Sequence, residues 1–169
     1  MKRTSHPFYL IVILVLSGCT LHYVPSAPPI EPASIPPFKV VGTVKLTNAQ
    51  ELSEDVSLPI PGFTITANFR QYTDLAIKSL RTELDKKSGG NAGAAEKEIK
   101  LAIVDLKMLP GSGNFRCILN FTATTGQGYI RGIEVIGASW NFKTAIDTAV
   151  ANVAIGVLND ERILSYLEK

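Results

Sequence analysis

Three stretches of alternating apolar and polar residues, joined by two short glycine-containing turns, constrain the fold of this chain most. The stretches cover residues 98–109, 114–125 and 128–137. The turns between them read PGSG at 110–113 and TGQG at 125–128, and glycine supplies the positive φ values that tight connections need. Alternation with a period of two is typical of strands that are buried on one face. The pattern predicts three consecutive strands of an antiparallel sheet.

The apolar parity changes within the first of these strands. The change lies near Ile103 and predicts a β-bulge or a strong local twist there. The apolar residues of the two parities are Ile99, Leu101 and Ile103 on one side, and Val104, Leu106 and Met108 on the other.

Apolar residues at helical spacing predict one helix before and one helix after the three strands. The first helix is expected to begin at a capping pair, Asn68 and Gln71, and to end at a pair of glycines. The second is expected to be capped by Ser139 or Asn141, and Asn159 and Asp160 can cap a last helical turn. The core-facing stripes consist of Phe69, Tyr72, Ala76, Leu80 and Leu84 in the first helix, and of Phe142, Ile146, Ala149, Val150, Val153, Val157 and Leu158 in the second.

An earlier alternating stretch, residues 38–46, predicts a strand ahead of the first helix. Residues 47–67 fit an edge strand or an ordered loop, because Pro59 and Pro61 remove hydrogen-bond donors from a ladder. The order β-α-β-β-β-α predicts an α+β fold: a two-layer sandwich with two helices on one face of a mostly antiparallel sheet of about four strands. Residues 38–169 have the length of a single domain.

The N-terminal segment has the composition of an export signal. Two basic residues precede an apolar run at 8–16, and the small residues Ser17 and Gly18 follow it. A helix that spans a membrane needs about 20 apolar residues, which is more than this run offers. We therefore expect residues 1–18 to be a signal peptide.

The residues LSGC at 16–19 resemble the lipobox of bacterial lipoproteins. The resemblance implies cleavage between Gly18 and Cys19, a diacylglycerol on the Cys19 sulfur and an acylated amino group, with palmitate a typical chain. Thr20 follows the cysteine, which by the same resemblance implies a periplasm-facing position on an outer membrane. Each buried CH₂ contributes about 0.8 kcal/mol, so two or three chains attach a protein to a membrane stably.

Six prolines lie within residues 25–37. Such a composition favours an extended polyproline II backbone, so we expect residues 19–37 to form a lipidated tether that reaches up to roughly 50 Å. A proline-rich docking motif for an aromatic groove is the alternative.

Charge and motif content argue against nucleic acid and against a nucleotide cofactor. Loss of Lys2 and Arg3 with the signal leaves 15 basic residues against 15 acidic ones, whereas nucleic-acid binding needs clustered positive charge. The glycines at 126–132 miss the dinucleotide-binding spacing by one residue and join two strands instead of opening a helix. We expect no cofactor.

The predicted domain lacks the residue types of common catalytic and metal sites. The chain's two histidines lie outside this domain, His6 in the signal and His22 in the tether. Serine and cysteine nucleophile systems use imidazole as their base, so the domain lacks that base. Cys117 is the domain's only cysteine, and its place among alternating apolar residues predicts a buried, inert thiol. We therefore expect neither a catalytic nor a metal site.

Carboxylates are the remaining candidates for catalysis. A hydrolase could use a pair of them without histidine, but their spacing singles out no pair. The acidic residues considered are Glu51, Glu54, Asp55, Asp105 and Glu134.

Three residues are candidate surface contacts. Arg116 and Arg131 lie on adjacent predicted strands, where they could flank an anion or serve as ordinary surface charges. Trp140 precedes the second helix, and it could mark a contact surface or close the edge of the core.

These features predict a non-catalytic, membrane-anchored interaction or assembly subunit of a bacterial envelope complex, with the membrane and an envelope protein as partners. The element order resembles that of the small lipoproteins that serve in lipopolysaccharide assembly at the outer membrane. A lipid or lipopolysaccharide carrier, with an apolar cavity between sheet and helices, is the first alternative. A carboxylate-based hydrolase is the second.

Overall fold

The computed structural model describes residues 19–51, 55–60, 62–88 and 96–169. In chain order the elements are β1 (Cys19–His22), a 3-10 turn (Pro32–Ser34), β2 (Thr43–Asn48), β3 (Asp55–Ile60), β4 (Phe63–Asn68), α1 (Phe69–Lys87), β5 (Glu96–Pro110), β6 (Phe115–Thr125), β7 (Ile130–Ser139), α2 (Phe142–Leu158) and α3 (Glu161–Glu168). Within these ranges, no helix has the length and apolar character that crossing a membrane requires.

The larger sheet has the strand order β2-β5-β6-β7. Helix α1 packs on β2 and β5, and α2 packs on β6 and β7, so both helices cover the same face and contact each other. The side chains between the layers are fully buried, among them Leu119, Phe121, Ile146 and Val150. The predicted α+β sandwich, with four strands in its main sheet and two helices on one face, is confirmed.

Several local predictions are also confirmed. The β5–β6 register shifts between Ile103 and Asp105, at the predicted bulge. The Asn68 side chain accepts a hydrogen bond from the Gln71 amide at the start of α1. Of the two caps considered for α2, Asn141 and not Ser139 caps the helix. Asp160 caps α3 through two backbone amides, whereas Asn159 ends α2.

The segment before α1 differs in detail from the sequence-based expectation. The first strand of the main sheet begins at Thr43, and it pairs parallel with β5. Strands β3 and β4 form a hairpin that pairs further with β1, giving a second sheet of order β1-β4-β3. Pro59 lies on β3, an outer strand of this sheet, where a missing donor is tolerated.

The proline-rich segment also differs from the expected spacer. We call residues 23–40 the strap, because they lie along the two helices. Ile30, Ile35 and Val40 are buried in the common core, and Asn159 after α2 donates a side-chain hydrogen bond to the Ser34 carbonyl at 3.1 Å. The apolar residues between the prolines give this segment a surface to bury, and burial offsets the entropy that a free tether would keep.

Lys97 joins three elements at the end of the molecule where the strap ends. The residue is buried, and its ammonium group donates hydrogen bonds to the Val41 carbonyl and to the Leu167 carbonyl. Burial lowers the pKa of this ammonium group. The contact ties β5 to the start of the main sheet and to α3.

Candidate functional site: the open sheet face and the strap

The face of the main sheet opposite the helices carries several exposed apolar side chains. Ile118 lies directly opposite Ile136 on this face, and Ile136 is 38% exposed. Val104, Leu109 and Ile130 are 61%, 45% and 65% exposed. We call these five residues the open face. Antiparallel sheets often leave one face to solvent, and the apolar side chains on this face make it a candidate contact surface.

Charged residues cross the middle of the open face in one row. Asp105 and Glu134 both lie opposite Asn120 in the ladders, which sets their Cα atoms about 10 Å apart. Asp105 also forms an ion pair with Lys107, with an N–O distance of 2.9 Å. The hydrogen bond to Asp105, supported by the charge of that carboxylate, raises the pKa of Lys107. The two carboxylates lie on an exposed sheet surface and not at the foot of a cleft.

The two candidate arginines do not come together. Arg116 lies opposite Ala138 on the open side of the sheet, whereas Arg131 lies opposite the buried Ala123 on the helix side. Along β7, Arg131 and Ala138, the residue opposite Arg116, are seven positions or about 23 Å apart. The Arg131 Nε atom is 3.4 Å from Asp160 Oδ2. Arg116 and Arg131 are therefore separate surface charges, and they do not flank a common anion site.

Trp140 lies in the short connection between β7 and α2 and is 79% exposed. It does not close the core. Phe142, two residues later, fills that role: its ring centroid is 5.1 Å from that of Phe63 and 6.2 Å from that of Phe115.

The predicted cleavage and lipidation site is only partly within the described chain. Gly18 lies outside the described residues. Cys19 is the first residue of β1, and its backbone pairs in parallel register with Phe63 of β4.

A cluster of hydrogen bonds fastens the strap to the helices. The Tyr23 hydroxyl donates to Asp147 Oδ1 on α2 at 2.7 Å. The Ser26 amide donates to the same oxygen at 2.8 Å, and the Ser26 hydroxyl donates to Oδ2 at 3.1 Å. On α1, the hydroxyl of the fully buried Tyr72 donates to the Tyr23 carbonyl at 3.0 Å. We call these four residues the clamp.

A groove of about 490 Å³ lies between the strap and α1. Residues 25–30 form one wall, and Leu75, Ser79 and Glu83 contribute to the other. Glu83 is buried and pairs with Lys86 at an N–O distance of 2.6 Å. This carboxylate therefore already has a cation beside it, and Lys78 adds a further positive side chain to the lining of the groove.

The clamp tyrosines predict how stability depends on pH. Burial raises the pKa of both Tyr23 and Tyr72 above the ordinary 10.0, and the hydrogen bond to Asp147 raises that of Tyr23 further. A raised pKa means that the folded state keeps the proton, so this stabilisation is complete below pH 10 and is lost as the pH rises above it.

We expect a Tyr23→Phe/Tyr72→Phe variant to be less stable than wild type at pH 8, because two hydrogen bonds are missing. Its stability should then fall less steeply above pH 10, because it lacks the two phenols that ionise on unfolding. Urea unfolding followed by circular dichroism at several pH values measures both effects. Parallel pH curves for the two proteins would contradict the expectation.

The predicted burial of Cys117 is confirmed: the residue has no exposed surface. Burial raises the pKa of its thiol to about 12. Among the described residues, no group of three or more His, Cys, Asp or Glu side chains is placed to hold a metal ion.

No protein-family model matches this chain, and no curated protein matches it significantly. The clamp and the apolar open face are the two features that sequence reasoning missed. Ile118, Ile130 and Ile136 did carry a signal, since they occupy the parity of their strands that faces away from the core.

Proposed function

We propose that this chain is a bacterial lipoprotein that acts as a non-catalytic interaction subunit in the cell envelope. In this proposal, signal cleavage before Cys19 and acylation of that residue hold the domain at the periplasmic side of an outer membrane. The open face then binds another envelope protein. The lipobox resemblance of LSGC at 16–19 supports the anchor.

The exposed apolar side chains of the open face are the observation that carries the interaction role. The same face carries charges of both signs: Asp105 and Glu134 lie opposite Asn120, and Lys107 lies in the neighbouring row, opposite Ile118. An apolar patch with charged groups suits a protein partner, because the apolar area supplies affinity and the charges supply specificity.

The interior gives less support to the lipid-carrier alternative. A carrier needs an apolar cavity between sheet and helices, and here side chains such as Leu119, Phe121 and Ile146 fill that space. The hydrolase alternative needs a pair of carboxylates, and no pair was singled out by the sequence. Of the acidic residues considered, Asp105 and Glu134 lie on an exposed sheet surface that offers a substrate no enclosing walls, and Glu54 lies outside the described residues.

Photo-crosslinking in intact cells tests the proposal. We expect a photoreactive amino acid at Ile136 to give a discrete adduct with an envelope protein, identifiable by mass spectrometry. The same group at Glu161, which is exposed at the start of α3 and does not belong to the open face, is the matched control and should give little or none.

A Cys19→Ser variant that carries the probe at Ile136 extends the same experiment. We expect it to leave the membrane fraction and to lose most of the adduct. The proposal fails if position 161 gives the same yield of adduct as position 136. It also fails if Cys19→Ser changes neither membrane association nor the adduct.

A further inference from the structure

The backbone of Cys19 lies at one identifiable end of the molecule. It pairs with Phe63, whose ring contacts Phe142 at the start of α2, and Phe142 also contacts Phe115 at the start of β6. The opposite end holds the β6–β7 turn, about 33 Å away along the 11 residues of β6. We call the Cys19 side the anchor end.

No flexible linker separates Cys19 from the folded domain in the described part of the chain. Strand β1 begins at Cys19 itself, and its ladder with β4 runs from Cys19 to His22. The following residues are held by the clamp, beginning with Tyr23, whose amide donates to the Thr66 carbonyl at 3.3 Å. Acyl chains on Cys19 would therefore enter the bilayer directly beside the fold and not at the far end of a tether.

The anchor end carries side chains suited to a bilayer surface. Trp140 is 79% exposed there, and an indole favours the boundary between headgroups and acyl chains. Leu109 is exposed at the neighbouring end of β5. Arg116, which lies opposite Leu109, and Lys143 on the first turn of α2 are exposed and positive. Positive groups at this level attract anionic lipid headgroups.

We propose that the anchor end rests on the membrane surface, with Trp140 inserted at the headgroup level, so that the domain has a fixed orientation. The proposal rests on acylation of Cys19, that is, on the proposed function. In this orientation the strands rise away from the bilayer, and the part of the open face beyond Leu109 stands accessible to a partner beside the membrane.

The test uses Trp140 as its own probe, since it is the only tryptophan in the chain. The protein as processed by the cell is isolated from membranes in detergent and reconstituted in vesicles of phosphatidylethanolamine and phosphatidylglycerol. We expect the emission of Trp140 to shift to shorter wavelength by about 10 nm and its quenching by aqueous iodide to fall about threefold, as for an interfacial indole. Phospholipids brominated near the headgroup should quench it.

A Trp140→Phe/Gln127→Trp variant is the matched control. Gln127 is exposed in the β6–β7 turn, at the end opposite the anchor end. The probe at this position should stay open to iodide and should not respond to brominated lipid.

Mass spectrometry of the N-terminal peptide from the same samples separates the two proposals. Acyl chains on Cys19 with a Trp140 that stays fully open to iodide would overturn the membrane orientation alone. An absence of acyl chains would overturn both proposals. Shielding of Trp140 in native membranes but not in lipid vesicles would assign this end to a protein partner and also overturn the inference.

Discussion

Replacing Gly137 with valine is expected to lower the free energy of unfolding by about 3 kcal/mol or more. Gly137 is buried on β7, where the backbone of α2 crosses the sheet. A Cβ atom at this position would lie 2.0 Å from the Ala145 carbonyl oxygen and 2.5 Å from the Ala149 nitrogen. These are backbone atoms in the middle of the packed layer, so relief requires the helix to move away from the sheet. Urea unfolding followed by circular dichroism measures the loss.

Gly132→Val is the matched control. Gly132 lies on the same strand, but a Cβ atom there would meet nothing within 4 Å. Because valine also favours strand conformation, we expect a change within about 0.5 kcal/mol. Equal losses in the two variants would show that the close helix approach at Gly137 is not the cause.

The sequence indicates the glycine side of this contact but not the helical residues that approach it. A glycine inside a strand pattern can mark a close approach of another backbone, but the expected strand ended at residue 137, where a glycine looks like a terminus. The partner atoms belong to Ala145 and Ala149, one helical turn apart, and nothing in their spacing says which strand they cover. Only the docked layers bring the two signals together.

Features that depend on neighbouring residues could be predicted well. The caps at Asn68, Asn141 and Asp160 each use hydrogen bonds across two or three positions. The bulge near Ile103 is visible as a change of apolar parity. The fold class follows from such local patterns, because each element must bury its own apolar face.

Features that depend on distant pairing could not be predicted. Strand β1 pairs with β4 across more than forty residues, and β2 pairs with β5 across about fifty. Periodicity identifies a strand but not its neighbour, which is chosen by packing over the whole chain. The position of the strap also depends on distant packing. Its prolines predict an extended backbone, but the burial of Ile30 and Ile35 in the core decides where that backbone lies.

The candidate site residues likewise depend on packing and register that the sequence does not specify. The place of Trp140 before a helix is compatible both with a surface contact and with the edge of the core, and only the packed structure shows that the side chain is exposed. Arg116 and Arg131 belong to adjacent strands, which makes a shared anion site plausible from the sequence, but register places the two side chains on opposite faces. Register is set by turn length and by the whole apolar pattern, so adjacency of strands alone cannot bring two side chains together.

Removing the Asp147 carboxylate is expected to release the strap. This side chain accepts three hydrogen bonds, from the Tyr23 hydroxyl and from the Ser26 amide and hydroxyl. Hydrogen bonds to a charged acceptor contribute about 1.5 to 3 kcal/mol where solvent is excluded, and Ser26 is exposed, so we expect Asp147→Ala to cost about 2 kcal/mol in total. Hydrogen exchange at strap amides should accelerate by about tenfold or more, because local opening becomes easier.

Asp74→Ala on α1 is the matched control. Alanine favours helix more than aspartate does, and this gain partly offsets the loss in either variant. Comparing Asp147→Ala with Asp74→Ala removes this contribution of helix propensity, because both variants carry it. Asp74 accepts a hydrogen bond from Asn48 at 2.7 Å, on the side of α1 next to β2, so strap exchange should stay at the wild-type rate. If both variants accelerate strap exchange equally, general destabilisation is the cause. If neither does, the apolar contacts of Ile30 and Ile35 hold the strap without the clamp.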